Sequence, residues 1–346
     1  MSQNNYENLE DQIGAMGGEL NETPKPKKLL HAASYGQKDE LNKDEQDSLN
    51  AFLAKDKKRK EQVAEANISE GWIPIDKEEM GIRAMFYPAE WEFSIHVATV
   101  QAIKNWTAID EERPDQVNKV FNEIIKSCVR IDTHSDKGAG WAQINSWDRF
   151  WFVLKVREYT FMKGESKIEF TDDCSECETE ITYTLTSQNL FYEFPDEDLI
   201  EKYWDGQVWN IDPREYDVDE DMVTLYTPKL GKDEAIIDWA VARTRNKQKI
   251  DETFITFLPW LMNKPSKDPQ MLDRQIQKIY NEYKQWDVEM FQFMDDVVRN
   301  ITINPSEKLR VKCPHCGMEA TSTVQFPNGI KALFGVQSRA KKFGSR

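Results

Sequence analysis

The chain has 346 residues, with 61 acidic against 45 basic side chains and a formal charge of −16, giving a pI of about 4.9. Such a field argues against a protein built to coat DNA or to sit on an anionic membrane. No apolar run approaches the roughly 18 residues of a membrane span, no secretory signal opens the chain, and no glycine-rich phosphate cradle occurs; a soluble protein of a reducing compartment is expected.

Residues 1–45 are polar and of mixed charge, too poor in apolar side chains to offset the entropy of ordering, and read as an arm that is disordered or ordered by a partner. A helix is expected from Asp44 to Ala66, its basic run Lys55–Lys60 forming a solvated face. The compact part is expected to begin near Gly81, so that 1–80 form an N-terminal arm with one helix and 81–166 an α+β core. Alternation predicts strands at Ile82–Tyr87 and Trp91–Thr99, followed by a short helix Val100–Ala108 with Thr99 as its cap. Val117, Val120, Phe121, Ile124, Ile125 and Cys128 then recur on one helical face, which makes Cys128 a buried apolar residue. Ser146–Tyr159 is apolar on nearly every side, as a helix buried between other elements is. Asp148 and Arg149 at its start read as helix-end residues paired with neighbours.

The other four cysteines form two CxxC pairs, Cys174-Ser175-Glu176-Cys177 and Cys313-Pro314-His315-Cys316. Alternating, β-branched and aromatic flanks (167–171 and 180–185; 308–312 and 320–326) place each pair at the tip of a hairpin. Two strand–CxxC–strand units are the halves of a zinc ribbon, and four thiolates make a closed, structural, tetrahedral site for Zn²⁺. Compact ribbons separate their pairs by roughly 15–20 residues; here 135 residues lie between Cys177 and Cys313. One shared metal would therefore bind residues 305–328 back onto 167–190. Independent reduced thiols are the competing reading, iron the competing metal, and His315 an alternate ligand.

Within the insert 191–304, the acidic stretch Pro195–Met222 reads as a solvated loop or an acidic partner surface. Its run Asp217–Asp221 lacks the glycine and the glutamate of a calcium loop, having Met222 and Pro228 there. Helices are expected at Asp233–Arg245, Lys249–Met262 and Pro269–Trp286, the last continuing to Asn300. Leu272, Ile276, Ile279, Tyr283, Trp286, Met290, Phe293 and Val297 trace a coiled-coil-like seam, either packed within the chain or joined to another. The tail 329–346 is basic (Lys331, Arg339, Lys341, Lys342, Arg346) and carries Phe334 and Phe343, which suits an acidic protein surface.

The four histidines, His31, His96, His134 and His315, assemble no catalytic pattern. The triplet His134-Ser135-Asp136 has triad composition only, since triads are built from distant segments. An enzyme is not expected. The fold class read from these elements is α+β: a mainly helical body with a small antiparallel zinc ribbon made of two CxxC hairpins distant in sequence.

From residue 82 to 326 the order of segments resembles the T4-like bacteriophage baseplate (hub) proteins. The likeness runs through WEFSIHVATVQAIKNWTAI, VNKVFNEIIKSC, WDRFWFVLKVREYTF, the CSEC knuckle, MVTLYTPKLGKDEA and the closing CPHCG knuckle. The 80-residue arm departs from the family pattern. The resemblance implies a structural or morphogenetic virion protein of a contractile tail, assembled in the bacterial cytoplasm. Its partners would be other baseplate or tail proteins, with a homo-oligomer open, and it implies no catalytic residues. A zinc-ribbon nucleic-acid or transcription-associated factor is the alternative, resting on the basic helix and tail, and the acidic total counts against it.

Overall fold

Strand β1 (Trp72–Ile75), β2 (Glu92–His96) and β3 (Val129–Asp132) form an antiparallel sheet in that order. Its register sets Ile73 opposite Ile95, and Ile95 opposite Val129. The computed structural model describes residues 71–108, 114–133, 139–161, 168–306, 308–324 and 333–334. The expected arm of residues 1–45, the helix Asp44–Ala66 with its basic run, the His134-Ser135-Asp136 triplet and nearly all of the basic tail lie outside these residues. The sheet begins before the expected boundary at Gly81, because Trp72–Ile75 is already one of its edges.

The expected strand at Ile82–Tyr87 is instead a 3₁₀ segment, Lys77–Phe86, kinked where Gly81 takes a φ of 56°. The Asp76 carboxylate accepts from the Glu78 backbone N–H at 2.9 Å and so starts the segment. Its buried residues are Met80, Arg83 and Phe86, three apart, which is the 3₁₀ repeat rather than the strand repeat. The expected strand over Trp91–Thr99 and helix after it are present: Thr99 caps α1 (Val100–Trp106), its hydroxyl accepting from Ala102 N–H at 3.2 Å. Helix α2 (Pro114–Cys128) buries Phe121, Ile124, Ile125 and Cys128 along the expected stripe. Helix α3 (Arg149–Thr160) follows a 3₁₀ turn, Ser146–Asp148, and every residue from Trp151 to Arg157 is buried. It packs on the sheet, with the rings of Phe93 and Phe152 5.2 Å apart.

The acidic stretch expected as a loop is structured. Helix α4 (Glu197–Tyr203) precedes a two-stranded sheet of β7 (Val208–Ile211) and β8 (Val223–Tyr226), joined through a 3₁₀ turn at Pro213–Tyr216. Trp209, Ile211 and Leu225 are buried while Glu215, Asp217, Asp219, Glu220 and Asp221 between them stay exposed. Sparse apolar anchors two apart, not overall polarity, decide the local structure. Before and after this region, β6 (Tyr192–Glu193) pairs with β9 (Asn304–Pro305).

Helices α5 (Leu230–Arg245), α6 (Glu252–Leu261), α7 (Pro269–Tyr283) and α8 (Val288–Ile301) complete this part. The expected stretch Pro269–Trp286 and its continuation to Asn300 are two separate helices, because Asp287 caps the second by accepting from Met290 N–H at 2.8 Å. The seam residues are consumed inside the chain. Leu272 and Ile276 pack with Ile236, Phe254 and Leu258, whereas Met290, Phe293 and Val297 pack with Trp209, Phe257 and Trp260. The whole is a mixed α and β architecture, about half helical among the described residues, with only small antiparallel sheets.

Candidate metal centre

Strands β4 (Ile168–Asp173) and β5 (Glu180–Leu185) form one hairpin, and β10 (Lys308–Lys312) and β11 (Glu319–Thr323) the other. Each carries its CxxC pair at the tip, and the two tips fold alike. Cys174 N–H donates to Thr179 O at 3.0 Å and Glu178 N–H to Cys174 O at 2.9 Å; Cys313 N–H donates to Met318 O at 2.8 Å and Gly317 N–H to Cys313 O at 3.0 Å. The residue after each second cysteine is left-handed, Glu178 at φ 55° and Gly317 at φ 73°. Beneath the tips, Phe170 and Tyr183 stack at 5.5 Å and Leu309 and Ala320 are buried. The Ser322 hydroxyl donates to the Asp172 carboxylate at 2.6 Å, tying one hairpin to the other.

The four sulfurs of Cys174, Cys177, Cys313 and Cys316 all lie within 4.8 Å of one another. The contacts cross between hairpins, Cys174 Sγ to Cys316 Sγ at 3.8 Å and Cys177 Sγ to Cys313 Sγ at 3.7 Å. In each pair the first cysteine is buried and the second faces outward, so the arrangement has near two-fold symmetry. A tetrahedron with metal–sulfur bonds of about 2.3 Å has edges of about 3.8 Å; the observed contacts fit that edge. They are far too long for a disulfide, and all five cysteines are free. These four thiols can hold one metal ion, and a soft all-sulfur set selects zinc or iron over the hard cations.

The electrostatics of the set are uneven. The contact with Thr179 draws Cys177 down to about 6. Cys316 is held up at about 12, against a hydrogen bond from the Met318 backbone, by desolvation and the neighbouring thiols. A bound cation deprotonates all its thiol ligands, whatever their order in its absence. His315 is exposed and is no part of the cluster. Cys128 stands apart as a buried apolar residue of α2, its thiol pushed up to about 12 by burial.

A second cluster of charge lies in the interior. Asp148, fully buried, takes Arg83 on one carboxylate oxygen and the Tyr87 hydroxyl on the other, at 2.7 Å for Tyr87. Tyr87 in turn accepts from the Asn145 backbone N–H at 3.0 Å, and Lys229 donates to the Asn145 side chain. Arg83 also lies over the ring of Tyr192 at 4.0 Å. Burial raises the Asp148 carboxyl and Arg83 opposes that; burial lowers Lys229 to about 8, which Asp148 opposes. Arg149 turns away to Asp233 at 2.7 Å and Asn122 at 3.1 Å. Both residues expected to pair with neighbours do so. This junction clamps the 3₁₀ segment, the start of α3 and the start of α5. Arg83, Tyr87, Asn145 and Lys229 carried no sequence signal, because their partners are 58 to 84 residues away.

His96, on β2, has its Nδ1 2.7 Å from its neighbour's carbonyl oxygen, Val97 O, and stacks edge-on against Trp72. Among the described residues no helix is long and apolar enough to cross a membrane. No curated protein and no solved structure matches the chain. One family does: residues 89–335 match the family described as T4 bacteriophage base plate protein, a span that takes in β2, β3, the Asn145, Asp148 and Lys229 side of the junction and both cysteine hairpins, and begins after β1, Arg83 and Tyr87. The chain therefore belongs to the T4 bacteriophage base plate protein family.

Proposed function

We propose that this chain is a structural or morphogenetic component of the hub region of a contractile-tail baseplate, acting through protein–protein assembly and stapled by one structural Zn²⁺. The family match over residues 89–335 carries the reading. A baseplate structural family points to a role in the virion tail, in contact with other tail or baseplate proteins, and to no catalysis. Cys174, Cys177, Cys313 and Cys316 are the ligands, and supply a closed set with no open position for substrate. When bound, the ion fixes the two hairpins against each other. The rest belongs to the chain: Phe170, Tyr183 and Leu309 seat the hairpins on the core that α3 fills, and the Asp148 junction ties the 3₁₀ segment to the starts of α3 and α5. The result is a stiff body with defined faces, which a baseplate component needs more than it needs a reactive group.

Immuno-electron microscopy of purified tails and of baseplate intermediates, with an antibody against this chain, tests the placement. Label at the centre of the baseplate is expected. Label at its periphery would overturn the hub position, and none on either particle would overturn the structural role.

A further inference from the structure

A groove of about 460 Å³ opens between α4, the turn after β7, and α8. Leu199, Phe293 and Val297 give it an apolar floor, and Asp217, Glu289 and Asp296 an acidic rim, with no basic side chain in the lining. Among the described residues these three carboxylates have no ion-pair partner. Tyr216, 44 % exposed, stands beside Phe293 at 5.4 Å and leaves an aromatic edge open to an incoming ring. An apolar trough with unneutralised acids around it fits a basic segment carrying an aromatic anchor.

The chain encodes such a segment. Residues 335–346 contain Arg339, Lys341, Lys342, Phe343 and Arg346 and no acid. They follow Phe334, whose ring sits 5.1 Å from Trp106 and 6.4 Å from Phe161, at the C-terminal end of α3. The groove belongs to the aromatic cluster at the other end of that helix, reached through Trp147, Phe86 and Trp209. The 12 residues of α3 alone span about 18 Å, and the cluster adds its own thickness. Nine residues from Phe334 to Phe343 reach about 30 Å only when fully extended. That reach exceeds the helix by only about 12 Å, within which the tail would also have to cross the aromatic cluster, so docking onto its own groove demands a nearly straight tail while a neighbouring copy imposes no such demand.

We propose that the groove between α4 and α8 receives residues 335–346 of a second copy of this chain, with Phe343 over the apolar floor and Lys341 and Lys342 against the acidic rim. The contact is independent of the cysteine cluster. Exchanged reciprocally, the tail-to-groove contact makes a two-fold pair; passed on in one direction, it makes a ring or an open filament.

Sedimentation velocity of the full chain, across concentration and at low and high salt, tests this. The expected result is self-association that weakens as salt rises, because exposed charge pairs are screened. Glu289→Lys/Asp296→Lys and, separately, Lys341→Glu/Lys342→Glu should each weaken it at least about tenfold, and combining them should restore most of it. Thermal melts by circular dichroism check that each variant keeps its fold. A wild-type chain that stays monomeric at low salt overturns the proposal. So does association that the rim variant weakens and the tail variant leaves unchanged.

Discussion

The cysteine tips and the Asp148 junction both join segments distant in sequence, and they differ in what does the joining. At the tips, two hairpins with few large apolar residues meet through four sulfurs 3.7–3.8 Å apart across the pair. Half of the set is exposed or partly exposed, so under the proposed function a shared cation would add to the Ser322–Asp172 bond and the packing beneath the tips. At the junction, Arg83, Tyr87, Asp148 and Asn145 are buried, and cohesion depends on charges and hydrogen bonds that satisfy one another away from water. Removal of a shared metal would weaken the first while leaving every side chain in place. The second can be undone only by changing residues, and a half-removed pair is worse than none.

The largest effect is expected at the tips. Cys313→Ala should lose bound metal and with it a crosslink across a long loop, worth up to about 5 kcal/mol in the chain-entropy limit. Urea denaturation beside metal analysis checks this, and wild-type stability with wild-type metal content would contradict a shared site. At the junction, Arg83→Met leaves the Asp148 carboxylate buried without its guanidinium partner, an expected cost of about 3–5 kcal/mol. The double variant Arg83→Met/Asp148→Leu should recover a clear part of that loss. A single variant as harmful as the double would show that packing over Trp151 and Tyr192, rather than charge, gives Arg83 its importance.

A smaller cost is expected at Gly231, where the start of α5 crosses the turn at Trp141–Gln143. A Cβ there would lie 2.5 Å from Ala142 Cβ and 3.0 Å from its carbonyl oxygen. Gly231→Ala should cost about 1–3 kcal/mol, and Ala142→Gly in the same chain should return part of it in thermal melts. The smallest effect is a slope. Burial lowers Lys232 to about 7, against about 10.4 in the unfolded chain. Between those values the unfolded chain binds more protons, so this group makes stability rise with pH across that window. Its ammonium donates to Thr227 O at 3.1 Å and Pro259 O at 2.8 Å. In Lys232→Met the rise in denaturation free energy from pH 7 to pH 10 should be shallower than in wild type.

The same contrast explains what was legible before the structure. Four cysteines in two CxxC pairs name their own chemistry, and the strands on either side alternate, so both hairpins and the closeness of the sulfurs could be anticipated. The stripe of Phe121, Ile124, Ile125 and Cys128 marked α2 for the same reason, a period with one meaning. The segment 77–86 misled because Ile82, Ala84 and Phe86 alternate like a strand, while Met80, Arg83 and Phe86 recur at three and are the residues buried. Residues 197–216 misled because their acids outnumber the anchors Ile200, Tyr203, Trp209 and Ile211 that fold them. The seam through Pro269–Asn300 was real as packing within the chain, and its break falls at Asp287, which reads as a seam-face neighbour until its capping bond is seen. The junction was illegible altogether. Nothing local in Arg83, Asn145 or Lys229 says which distant residue completes its hydrogen bonds.

Native mass spectrometry of the purified chain, before and after a chelator, is the most direct measurement. One zinc per chain is expected, lost on chelation together with the contact between residues 174–177 and 313–316. A chain that folds fully and carries no metal would contradict the staple and leave two hairpins held by Ser322, Asp172 and packing alone.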